Sequence, residues 1–190
     1  MNTKRLNSGF TLIETLIVIV LFALTATVIV NLFLGQNGLY RYYTAEVKST
    51  GRARLALDRI DMVARESDAV LASYNFGGTD YFSGTDTLIL RQQSIDNSDN
   101  FVSGSFDYTV FFRDPSDPRT LRELTEVGAL SKRQAIDRVL SSSIESFTLT
   151  YDSPSFSTVE NIDIEITASE NFSGSTATTT IFSSVKLRNQ

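Results

Sequence analysis

The stretch Ser8–Gly35, SGFTLIETLIVIVLFALTATVIVNLFLG, decides how the chain is read. Polar residues Met1–Gly9 precede its apolar part and carry Lys4 and Arg5 without an acid. Apolar residues then run on with one interruption, because Glu14 is the only charged residue between Arg5 and Arg41. At about 1.5 Å per residue, roughly 20 helical residues cross the hydrocarbon core of a bilayer, and this run is long enough. A cleaved secretory signal has a shorter apolar core of about 7–15 residues followed by a small-x-small site. The run predicts a retained anchor instead. The basic leader predicts a cytoplasmic N-terminus and an exported C-terminal part. Glu14 is the unusual residue, since a carboxylate costs about 2.5–3.5 kcal/mol at a bilayer centre and less near a helix start.

Downstream, Ala53, Ala56, Leu57, Ile60, Val63, Ala64, Ser67 and Leu71 recur every three or four residues, with charges on the other faces. That period predicts an amphipathic helix with one stripe on a core. No proline separates it from the anchor, so one helix over 11–71, about 90 Å long, is expected, softened only by Gly35, Gly38 and Gly51. After Leu71 the period changes. Thr87–Leu90, Ser105–Arg113, Ser146–Tyr151, Val159–Thr167 and Thr176–Leu187 read as strands, and Arg119–Val127 as a strand or a short helix. Ile162, Ile164 and Ile166 alternate with Asp163 and Glu165, the mark of a sheet with one dry face. Asp114–Pro118 and Asp152–Pro154 read as turns. A long helix followed by four to six strands without intervening helices predicts an α+β fold with an antiparallel sheet.

Composition narrows the chemistry. The 190 residues contain no His and no Cys, which removes the commonest general base, thiol nucleophiles, disulfides and zinc or iron–sulfur ligation by the usual residues. A net charge of −5 with four lysines gives no broad footprint for nucleic acid. No phosphate-cradling glycine loop is present, so no cofactor is expected. Asp96–Asn100 is rich in oxygen ligands but lacks the full spacing of a calcium loop, and reads as a solvated hairpin loop.

The basic leader, Gly9-Phe10, then Thr11-Leu12-Ile13-Glu14 and the apolar helix together resemble the class III signal of type IV pilins and pseudopilins. The helix-then-sheet order extends that resemblance along the chain. It implies a pilin-like fold with four parts: a leader (1–9), a membrane and filament-core helix (10–35), an amphipathic helix (36–71) and a β-rich extracytoplasmic domain (72–190). It implies cleavage by a prepilin peptidase between Gly9 and Phe10, and N-methylation of Phe10. It also implies pairing of Glu14 with the N-terminus of a neighbouring subunit during assembly. The implied partners are other pilin or pseudopilin subunits, an inner-membrane assembly platform and the lipid bilayer. The implied location is the cytoplasmic membrane, then a filament. Gly9, without a side chain, allows close approach of a protease to the backbone. Loss of the leader takes the net charge from −5 to −7.

The segment 53–71 contains Arg54-x-x-Leu57-Asp58-Arg59-Ile60-x-x-x-x-Arg65. With the C-terminal SSVKLRN (183–189), it resembles J-type minor pseudopilins of type II secretion and their pilus and competence counterparts. The chain lacks the proline that many pilin helices carry in the apolar run, and lacks the cysteines of a disulfide-bounded C-terminal loop. This points to a structural or priming subunit rather than an enzyme. The competing reading is a signal-anchored extracytoplasmic enzyme or ligand-binding domain, for which no catalytic constellation stands out.

Overall fold

A computed structural model describes residues 11–188. The chain divides into two compact units, Met1–Tyr43 and Thr44–Gln190. One helix, α1 (Leu12–Glu66), contributes to both.

In the first unit the described side chains are exposed almost throughout, including Leu12, Phe22 and Phe33. Three of its threonines bond to the preceding turn. The Thr15, Thr25 and Thr27 hydroxyls donate to the carbonyls of Leu12, Leu21 and Ala23, each at 2.8 Å. Such back-bonding hides a donor that an apolar surrounding would leave unpaired. Neither Gly35 nor Gly38 interrupts the helix.

In the second unit, Ala45, Ser49, Ala53, Ala56, Leu57, Ile60, Val63 and Ala64 form the buried stripe of α1. Ten strands follow: β1 (Ala69–Val70), β2 (Ser73–Phe76), β3 (Thr79–Phe82), β4 (Thr87–Ile95), β5 (Phe101–Asp114), β6 (Asp117–Glu126), β7 (Ile136–Ser141), β8 (Ile144–Tyr151), β9 (Asn161–Phe172) and β10 (Ser175–Lys186). They form a five-stranded sheet in the order β1-β4-β5-β6-β7, a three-stranded sheet β10-β9-β8, and the hairpin β2-β3. Every pairing is antiparallel. The fold is α+β, as the element order predicts.

One core unites the α1 stripe with both large sheets, through Leu88, Leu90, Phe111, Leu121, Phe147, Leu149 and the Ile162, Ile164, Ile166 row. A second cluster, Phe76, Ile89, Val110 and Phe112, is closed by Tyr74, Tyr81 and Tyr108. Leu88 and Leu90 therefore face one core while Ile89 faces the other, which is why Thr87–Leu90 reads as a continuous apolar run. The β2-β3 hairpin turns on Gly77 and Gly78, both with positive φ (56° and 93°), the handedness a two-residue hairpin favours. The β9-β10 pair keeps one register over twelve residue pairs, whereas the β4-β5, β5-β6, β6-β7 and β8-β9 pairs each carry a shift.

Two expectations differ from the structure, and one open choice is resolved. The periodicity runs to Leu71, but the helix stops at Glu66. Ser67 ends it by donating its amide to Ala64 at 3.0 Å and its hydroxyl to Val63 at 2.7 Å. Asp68 then donates its amide to the Arg91 carbonyl and pairs with the Arg91 guanidinium, starting β1. Ser67 is still buried and Leu71 half-buried, so the stripe passes from helix into strand without a break in pattern. Of the two readings of Arg119–Val127, the strand holds: residues 119–126 lie on β6. The sheets have ten strands rather than four to six; β1, β2, β3 and β7 are short, and none shows a long alternating pattern.

Candidate assembly site

The start of α1 is built by a reciprocal pair of contacts. The Glu14 amide donates to the Thr11 hydroxyl oxygen at 3.3 Å. In return the Glu14 carboxylate accepts from the Thr11 amide and the Thr11 hydroxyl, each at 2.8 Å. This is a capping box, in which two otherwise unpaired amides at a helix start are satisfied by side chains. The carboxylate also sits at the positive end of the helix dipole. Glu14 is exposed, and its charge stands at the head of a helix whose next 26 residues, Thr15–Tyr40, carry none.

Residues 4–30 match the family described as the prokaryotic N-terminal methylation motif. The chain carries the class III signal of type IV pilins. No curated protein and no solved structure matches it. The match spans residues 4–9 of the polar start, the expected cleavage position and the first 19 residues of α1, and it supports a type IV pilin-like protein. The expected cleavage and methylation positions, Gly9 and Phe10, lie outside the described residues. Glu14 is described, and its partner within the chain is Thr11. Thr11 is not among the expected site residues, although Thr-x-x-Glu before an apolar run is the capping pattern and marks it.

Behind the methylation motif, the second unit anchors its half of α1 through charges that periodicity does not reveal. Glu123 on β6 is fully buried. It accepts from Arg59 Nε at 2.9 Å and from Arg138 Nε at 2.8 Å. Within the Arg54–Arg65 pattern, Leu57 and Ile60 thus fill the core, Arg59 ties the helix to the sheet, and Arg54, Asp58 and Arg65 are exposed. Asp107 on β5 is also fully buried. It accepts from Ser94 Oγ, the Gly128 amide, Ser131 Oγ and Arg133 Nη1, at 2.8–2.9 Å. Burial pushes the Asp107 carboxyl up, but these donors, led by Arg133, outweigh it and hold the group below the usual carboxylate range. Both clusters fasten elements together and present no nucleophile with a base.

The Asp96–Asn100 loop folds on itself. Asp96 Oδ1 accepts from the Ser98 amide at 2.8 Å and the Asn100 amide at 2.9 Å, and those bonds hold its carboxyl below the usual range. Asp99 pairs with Lys132. Among the described residues no cluster of three or more acidic groups is arranged to hold a metal ion.

Proposed function

We propose that this chain is a minor pilin or pseudopilin, a structural and priming subunit of a type IV filament-like machine serving secretion, a pilus or DNA uptake. One observation carries the reading: the methylation motif at residues 4–30 runs into a helix whose first 29 residues, Leu12–Tyr40, carry a single charge, Glu14, at the capped start. In this reading a prepilin peptidase removes residues 1–9 on the cytoplasmic side, and Phe10 becomes the methylated N-terminus. The apolar part of α1 holds the subunit in the cytoplasmic membrane until the assembly platform transfers it to the filament. Glu14 then exchanges Thr11 for the ammonium of a neighbouring subunit, which sets the register. The Arg54–Arg65 pattern and the cysteine-free β-domain support a minor rather than a major subunit.

Mass spectrometry of the N-terminus, in cells with prepilin peptidase, tests this. A mature chain starting at methylated Phe10 is expected; an intact Met1, or a cut beyond Ala26, overturns the reading. Quantitative proteomics should count far fewer copies of this chain than of a major subunit of the same machine.

A further inference from the structure

The first unit ends in Tyr40-Arg41-Tyr42-Tyr43, and the second begins at the next residue, Thr44. All four side chains are exposed, with Tyr40 at 71%, Tyr43 at 59% and Tyr42 at 40%. Successive residues on an α-helix point about 100° apart. Four in a row therefore surround the helix in a single turn. A surface that packs on a protein is one-sided, like the stripe from Ala45 onward. A ring on every side suits a planar boundary that cuts across the helix.

The chemistry of the ring suits one boundary in particular. A phenol has an apolar body and a polar tip, and tyrosines gather where hydrocarbon meets headgroups. Arg41, with an apolar stem and a cationic end, reaches anionic phosphates from the same level. We propose that Tyr40–Tyr43 is a headgroup collar: a lipid-binding ring that seats in the phosphate layer of the bilayer and sets the depth of the span. The proposal rests on α1 being a membrane anchor.

The spacing of polar groups along α1 agrees. From Glu14 to Tyr42 the helix rises about 42 Å, and a bilayer with both headgroup layers is about 40–45 Å thick. The collar in one headgroup layer thus puts the capped Glu14 in the other. The uncharged run Thr15–Leu39 between them rises about 37 Å, enough to cross the roughly 30 Å of hydrocarbon with Gln36 and Asn37 toward the collar's headgroup layer. Before assembly Glu14 is then a headgroup-level carboxylate rather than a charge sunk in hydrocarbon.

The chain contains no tryptophan, so one introduced residue reports alone. Tyr42→Trp and Val28→Trp variants of the full chain are reconstituted in phosphatidylcholine vesicles carrying lipids brominated near the headgroup or near the chain ends. Tyr42→Trp should lose most emission to the shallow bromines, and Val28→Trp to the deep ones. Quenching of Val28→Trp by deep bromines, with Tyr42→Trp unquenched or quenched deepest, overturns the collar and leaves the anchor intact. An unquenched Val28→Trp overturns the anchor itself.

Discussion

Glu123 and Asp107 are the residues on which the second unit depends most sharply. Each is a fully buried carboxylate held by guanidinium groups from other elements. Removing one partner of a buried pair leaves an uncompensated charge, which costs about 3–5 kcal/mol. The charges left by Glu123→Gln, on Arg59 and Arg138, are partly exposed, so the variant should lower the unfolding free energy by about 1–3 kcal/mol in urea titrations. A Glu123→Leu, Arg59→Met double variant should recover part of that loss, because it removes the stranded charge on the helix. Asp107 gives a pH dependence of known sign. Its carboxyl titrates lower in the folded chain than in the unfolded one, so folding binds fewer protons. The stability it contributes is complete above the unfolded value of about 4 and is lost as pH falls through the lower folded value. Asp107→Asn should flatten that acid limb of the stability profile. At the helix start, Thr11→Val removes the hydroxyl half of the capping box, and Glu14→Ala removes its carboxylate. Glu14→Ala should reduce incorporation into filaments while leaving the fold of the second unit unchanged by circular dichroism. Normal incorporation would remove the register-setting account of Glu14.

At the scale of elements, α1 was legible and its end was not. The stripe Ala53–Ala64 is a period of three and four that only a helix satisfies, and each of those positions is buried. Ser67 is buried too, but by a chain already turning into β1. Burial at the right spacing continues past the last helical residue, so periodicity alone overshoots by five residues. The long strands were legible because one face or both faces are apolar, as in β9 and β4. The β1, β2, β3 and β7 strands were not, since two to six residues carry too little pattern. Thr11 and Glu123 escaped for a different reason. A cap and a buried ion pair are contacts, and a contact has no period. Gly51 offers a test of helix propensity. A Cβ there would meet nothing within 4 Å. Gly51→Ala should raise the stability of the second unit by about 0.5–1 kcal/mol, read from the urea midpoint at unchanged slope.

At the scale of the molecule, a mean hydropathy of −0.04 conceals two units held by different means. The first is a helix with exposed apolar side chains, in which Thr15, Thr25 and Thr27 bond to the helix's own backbone. The second closes two hydrophobic clusters between sheets, a hairpin and half a helix. In detergent micelles, thermal unfolding of the full chain should show a cooperative loss of sheet signal. Helical signal from the first unit should persist above it, because the micelle covers the exposed apolar side chains of that part of the helix. A single transition removing all ellipticity together would contradict the division.

The unshifted β9-β10 register has a consequence for the protein in quantity. β10 is the outer strand of its sheet, and from Asn171 to Val185 the chain has no charged residue and no proline. Natural edge strands are guarded by charges, prolines or bulges that stop a second chain from adding on. Here the only such guard is Lys186, at the far end. Crowding is thus a hazard for this chain, and a cell that overproduces it invites fibrous deposits seeded along that strand. Low copy number, as the proposed role entails, would keep that edge from meeting a second copy of itself.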